Sequence, residues 1–108
     1  MESAHAPGAP DRASEVDLLG HDDGDHVAVA VRDVPPGDVH VAWLDSDQRQ
    51  ALQALDPIPF GHKMALADLG EGDEVIEYGV RVGVTTRPIS RGQLVHTHNI
   101  RSARWQTN

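Results

Sequence analysis

The sequence predicts one small, mainly β domain built from short, bent strands, and three observations carry that reading. Glycine (10) and proline (7) recur at intervals along the 108 residues, which is the punctuation of many short strands rather than of a helical bundle. Valine-rich stretches alternate with polar residues, as half-buried strands do. A corner signature also repeats: Asp33-Val34-x-x-Gly37, Asp68-Leu69-x-x-Gly72 and Pro88-Ile89-x-x-Gly92 each set an aliphatic residue three before a glycine. In the last two copies Val75 and Val95 follow three after the glycine; in the first, Val39 and Val41 flank that place. The aliphatic residue plugs the core, the glycine supplies a positive φ or a close approach, and the strand restarts. Three such corners bend strands back on themselves and predict a compact, irregular β fold instead of a flat sheet.

Taken in order, residues 1–14 read as a disordered lead of Ala, Pro, Gly and Ser without apolar pattern, with His5 incidental to it. Residues 15–19 make a first short strand, closed by Gly20-His21-Asp22-Asp23-Gly24-Asp25. That acidic run lacks the alternating ligands and distal glutamate of an EF-hand, so it reads as a solvated turn that includes His21. Residues 26–31 alternate and are rich in valine, a strand ended by Asp33-Val34-Pro35-Pro36-Gly37. Residues 39–44 form the next strand, with Val39, Val41 and Trp43 on one face and His40, Ala42 and Leu44 on the other. His26 and His40 fit a satisfied core or edge histidine at least as well as a site role. Trp43 and Trp105 read as packing or subunit contacts. After the turn Asp45-Ser46-Asp47, residues 48–55 admit two readings. Ala51, Leu52, Ala54 and Leu55 fit one helical face. Pro57 and Pro59 close the segment quickly, however, and helices of one or two turns are marginal, so a strand suits the all-β setting better. Residues 62–66, 76–79, 80–85 and 88–95 then carry the remaining strands and the third corner.

Composition narrows the function. The formal charge of −8 argues against nucleic acid and anionic membrane surfaces as partners, but a local pair of cations can still hold a small anion. The absence of cysteine removes disulfides, thiolate nucleophiles and Cys-ligated zinc together. No apolar run approaches the ~18 residues of a membrane span, and residues 1–14 lack the apolar centre of a signal peptide, so a cytoplasmic protein is expected.

Two stretches stand out. Ile58-Pro59-Phe60-Gly61-His62-Lys63-Met64-Ala65-Leu66 holds the only lysine of a chain that uses arginine eight times. That bias points to an ammonium required at this position, although coding composition produces the same pattern. His96-Thr97-His98-Asn99 is the second. On a strand, residues two apart point to one face, so His96 and His98 would suit two ligands of one metal, two donors to one substrate, or simply an exposed edge pair. The two stretches are expected to meet in space.

Together with Asp25-His26-Val27-Ala28-Val29-Ala30 and Glu74-Val75-Ile76-Glu77-Tyr78-Gly79, these stretches resemble a SAF domain, the β-clip module shared by antifreeze-like proteins and flagellar chaperones. The nearer resemblance is to the UxaA family: the amino-terminal domain of altronate and galactarate dehydratases and the small subunit of sulfolactate sulfo-lyase. It covers the chain from about Val16 to Trp105. Glu77 stands where many dehydratases carry lysine and His26 where they often carry asparagine. Asp25-His26-Val27 and the ending Ile100-Arg101-Ser102-Ala103-Arg104-Trp105 look closer to the sulfo-lyase small subunits.

The resemblance implies a lyase reaction, the loss of water or sulfite from a hydroxy-carboxylate such as altronate, galactarate or sulfolactate. Removing the proton beside a carboxylate builds an enediolate-like dianion, which calls for a positioned base and fixed positive charge. It implies His62, Lys63 and His98 as catalytic residues, and Lys63, Asn99, Arg87 and Thr86 as substrate contacts. It also implies His96 and His98 as metal ligands, with iron(II) or manganese as the divalent ion of the assembled enzyme. A domain this small rarely encloses a water-excluding pocket by itself. The expected partner is therefore a large catalytic subunit of the same family, with room for a homo-oligomer, and the chain alone is expected to be inactive. Residues 15–100 form the domain, and 101–108 a tail, with Asn99 to Trp105 leading out toward that partner. The competing readings are a non-catalytic SAF module that binds carbohydrate or peptide, and a free-standing metal-binding or regulatory domain.

Overall fold

The computed structural model describes residues 15–102, and every regular element within them is a β-strand. The chain runs β1 (Leu18–Gly20), β2 (Val27–Ala30), β3 (Gly37–Trp43), β4 (Arg49–Ala54), β5 (Lys63–Ala65), β6 (Glu74–Glu77), β7 (Val80–Thr85), β8 (Leu94–Val95) and β9 (Ile100–Ser102). Six strands form one sheet in the order β4-β3-β1-β2-β5-β8, and three form a second in the order β6-β7-β9. Only β1 and β3 run parallel; the other pairs are antiparallel. This agrees with the β-clip expectation. The undecided segment 48–55 is a strand, paired along β3 from Gly37↔Ala54 to Ala42↔Arg49. Its Leu52 and Ala54 are buried while Ala51 and Gln53 are exposed, a period of two that the helical reading missed.

The corners are the organising device, and there are four rather than three. Ile58-x-x-Gly61 has the same spacing as the others, and Gly37, Gly61, Gly72 and Gly92 all take positive φ (127°, 82°, 85° and 96°). The plugs work in reciprocal pairs. Val34 and Ile58 exchange backbone hydrogen bonds of 2.9 and 2.8 Å, and Leu69 and Ile89 exchange two of 2.8 Å. In each pair the aspartate before the first plug accepts an N–H from the residue two after the second: Asp33 from Phe60 (2.9 Å) and Asp68 from Arg91 (2.8 Å). All four plugs are buried.

Each pair anchors its own core. Val34 and Ile58 sit with Leu18, Ala28, Ala30, Val39, Val41, Leu52 and Met64, and Trp43 packs against them over Gly20, as the packing reading of Trp43 expects. Leu69 and Ile89 sit with Val27, Ala65, Val75 and Val95, edged by Val82 and Ile100. Strands β2 and β5 contribute to both clusters.

Two expectations need correction at the carboxyl end. Residues 96–99 are a turn, not a strand, because Asn99 and Ile100 both donate to the His96 carbonyl at 3.0 Å. The chain also does not leave the fold at Asn99 or at 101: β9 pairs with β7, Gly83 opposite Ser102 and Thr85 opposite Ile100. His5, the lead 1–14, and the tail from 103, with Arg104 and Trp105, lie outside the described residues.

Candidate active site

Strand β5 is three residues long, and it is where the two histidine stretches meet. It lies between β2 and β8, with Lys63 opposite Val29 on one side and Val95 on the other. Gly61 turns the chain into the strand, its N–H donating to the Ala30 carbonyl (2.9 Å) while Ala30 donates back to His62 (2.8 Å). One step beyond the Lys63↔Val95 pair, the antiparallel register sets His62 across from His96. Their rings lie 5.1 Å apart, tilted by 52°. A hollow of about 220 Å³ opens there, lined by Gly61, His62, Lys63, Val95 and His96.

Lys63 also lines a larger cleft of about 450 Å³, whose walls are Val75, Val82, Val95 and Ile100 and whose polar groups belong to Lys63, Glu77, Arg81 and Ser102. The cleft therefore opens onto the second core. Val75 and Glu77 face it because alternate residues of β6 share a face. Arg81 and Val82 are consecutive, and a regular strand would point them apart. A bulge between the pairs Val75↔Gly83 and Ile76↔Arg81 leaves Val82 unpaired and lets both line the cleft. Lys63 Nζ lies 3.8 Å from Glu77 Oε1, with the Glu77 side chain buried and the lysine partly open. Arg81 Nη1 lies 3.5 Å from Glu74 Oε2. In a chain of net charge −8, this cleft brings two cations together, Lys63 beside Glu77 and Arg81 beside Glu74.

The surrounding residues hold this arrangement. His26 Nδ1 accepts the Ile76 N–H (3.0 Å) while the His26 backbone N–H donates to the Ile76 carbonyl (2.8 Å), tying the start of β2 to β6. His26 is thus a satisfied structural histidine. Asn99 is buried, and its amide is committed to the turn: Oδ1 accepts the His96 N–H (2.9 Å) and Nδ2 donates to the Leu94 carbonyl (2.7 Å). It shapes the turn that carries His96 instead of reaching for a ligand. His98, Thr86 and Arg87 are exposed and line neither hollow. His40 Nδ1 is buried without a hydrogen-bond partner, well away along β3.

The residues do not by themselves make a metal centre. Among the described residues no group of three or more His, Cys, Asp or Glu side chains is placed to hold an ion. His62 and His96 supply at most two ligands, short of the three that catalytic metal sites typically take from protein, and the turn at 96–99 removes the common face expected for His96 and His98. Sequence reasoning missed Glu77, Arg81 and Val82. Glu77 was legible as a charge alternating with Val75 on a face that ought to be apolar. The bulge that aims Arg81 has no local signal.

A family model described as the altronate/galactarate dehydratase SAF domain matches residues 16–103. The chain is 38% identical over 92 residues to the (2R)-sulfolactate sulfo-lyase subunit alpha of Chromohalobacter salexigens, which covers 83% of this chain and 98% of that one. It is 33% identical over 78 residues to an altronate dehydratase of Bacillus subtilis and 37% identical over 79 residues to that of Escherichia coli. Both matches cover 72% of this chain but 15% of the dehydratase. No helix among the described residues is long and apolar enough to cross a membrane.

Proposed function

The chain belongs to the altronate/galactarate dehydratase SAF-domain family, and we propose that it is the small subunit of a two-chain lyase, carrying one wall of an active site that a large subunit completes. The observation that carries this reading is the match to nearly the whole of a protein that is itself named a subunit, at 38% identity over 98% of its length. The same observation favours sulfolactate as substrate, with altronate or galactarate as the alternative.

The reaction is an elimination. The C–H bond beside the carboxylate breaks, its electron pair forms the new double bond, and sulfite departs with the electrons of the C–S bond. The resulting enol then takes up a proton at carbon to give the keto acid. In the dehydration variant the leaving hydroxyl is protonated and departs as water. Lys63 binds the substrate carboxylate and holds positive charge beside the developing enediolate. Proton transfer is assigned to His62 and His96, whose rings lie 5.1 Å apart in the adjoining hollow that Lys63 also lines. Asn99 fixes the turn that carries His96. His98, Thr86 and Arg87 are exposed and line neither hollow, so a role for them in substrate binding depends on the partner covering that surface. A divalent iron or manganese ion, which would stabilise the dianion, is proposed to take most of its ligands from the large subunit. We place the reaction in the cytoplasm, which cell fractionation tests.

The test is reconstitution with a large subunit of the family on a panel of sulfolactate, altronate and galactarate. Lys63→Ala should lower kcat/KM on the order of 10²-fold while the two chains still co-elute. Full activity in both Lys63→Ala and His62→Ala pairs would remove this wall from the active site. Sugar or peptide binding by the isolated chain, with no lyase activity in any mixture, would instead support a non-catalytic module.

A further inference from the structure

Glu77 is 6% exposed and is the one carboxylate in a cleft lined by Val75, Val82, Val95 and Ile100 together with Lys63, Arg81 and Ser102. A buried carboxylate is costly unless it is paired and hydrogen-bonded. Its one ionic partner among the described residues is Lys63, at 3.8 Å. That separation is well beyond the ~2.7–2.9 Å of a charge-assisted hydrogen bond. No hydrogen bond reaches the Glu77 carboxylate from any described residue, whereas those of Asp17, Asp25, Asp56 and Asp73 each accept backbone N–H groups. Packing gives no reason for the charge either, because the neighbouring position on the same face is Val75. What remains is a carboxylate with free acceptor capacity, a short step from an ammonium, on the wall of a cleft the size of a small ligand.

We infer that Glu77 is a substrate-binding residue whose carboxylate accepts a hydrogen bond from the hydroxyl beside the substrate's carboxylate, while Lys63 binds that carboxylate. The inference rests on the lyase reading above and adds to it the group that selects a 2-hydroxy acid. The chemistry of the cleft fits such a ligand on three counts. Arg81 is already paired with Glu74 at 3.5 Å, so Lys63, loosely held by Glu77 at 3.8 Å, is the cation of the cleft that can meet an anion. Glu77 repels a bare second anionic group at its own position and asks for a donor. A 2-hydroxy acid presents an acceptor and a donor on adjacent carbons, matching an ammonium and a carboxylate that face one another. A site built to hydrogen-bond a hydroxyl also discriminates strongly against the analogue that lacks it, since the buried partner is then left unpaired.

The experiment uses the assembled two-chain enzyme and compares a substrate with its deoxy analogue: sulfolactate against 3-sulfopropanoate, or the sugar acid against its 2-deoxy form. The wild-type enzyme should bind the hydroxy acid about 10- to 100-fold more tightly than the analogue. Glu77→Gln, which keeps an uncharged acceptor, should shrink that ratio. Glu77→Leu should bring it to about one, the hydroxy acid losing its advantage over the analogue. Co-elution of both variants with the large subunit shows that they fold. A purely structural ion pair would weaken both ligands alike, and an unmoved ratio in an active enzyme overturns the inference alone. A wild-type pair inactive on every hydroxy acid overturns the lyase reading and this inference with it.

Discussion

Asp25 shows how single residues secure this site from a distance. It is buried, and its carboxylate accepts N–H groups from Tyr78 (2.8 Å), Gly79 (3.1 Å) and Asp22 (3.3 Å). Among the described residues Tyr78 is the one non-glycine with positive φ, 59°, and with Gly79 at 71° it makes the tight turn between β6 and β7. The strain of a tyrosine there is offset by the carboxylate beneath it and by the His21 ring stacked on it at 3.5 Å. Asp25 thereby holds the strand ends that place Glu77 and Arg81. Asp25→Ala should destabilise the chain by about 2–3 kcal/mol, read as a lowered urea midpoint at constant slope. Asp25→Asn, which keeps one acceptor oxygen, should cost about half as much. Equal midpoints for Asp25→Ala and wild type would mean that the turn needs no such support.

At the scale of elements, the corner glycines share a backbone conformation but not an environment. Gly61, at φ 82°, has open space where a Cβ would stand, whereas at Gly92, φ 96°, a Cβ would run into the Gln53 carbonyl of β4. Gly61→Ala should therefore cost only the left-handed strain of an alanine, about 1 kcal/mol. Gly92→Ala adds a backbone collision and should cost about 3 kcal/mol or more, enough to leave much of a marginally stable chain unfolded. Thermal melts of the two variants compare them directly, and similar losses at both positions would show that the close approach of Gly92 to β4 does not matter. The asymmetry has a structural meaning. Gly92 N–H donates to the Ala65 carbonyl and its own carbonyl accepts from Leu55, so this corner joins β4 to the strand that bears Lys63.

For the whole molecule, the decisive feature is that the cleft is a surface of the second core, open to solvent, with a single rank of polar groups. An elimination through a dianion requires water to be excluded, and one wall cannot do that. The isolated chain should be folded yet inactive on all three acids, and activity should appear only with the large subunit, saturating at a fixed ratio of the two chains. Turnover by the chain alone, whether monomer or homo-oligomer by size exclusion, would show that this wall suffices.

Much of this protein was legible in the sequence because the relevant physics is local. Alternating valines specify strands, the spacing of an aliphatic residue three before a glycine specifies corners, and the lone lysine beside a histidine lies on the strand that borders both hollows. Even the missed fourth corner, Ile58-x-x-Gly61, was present in the same spacing. The resemblance carried by residues 25–30, 58–66, 74–79 and 96–99 named the family. Registers between distant strands were a different matter. That His62 stands across from His96, and that His26 serves Ile76 fifty positions away, depend on pairing β5 with β8 and on bringing the start of β2 beside β6 of the other sheet. Such pairings are settled by the sum of long-range contacts, not by any short run of residues. The same holds for the bulge that turns Arg81 into the cleft and for the turn that withdraws Asn99 from it. The sequence determined which residues form strands and corners and which family they belong to. Only the tertiary structure decided which side chains share the cleft, because a one-residue change of register sends every side chain of a strand to the opposite face.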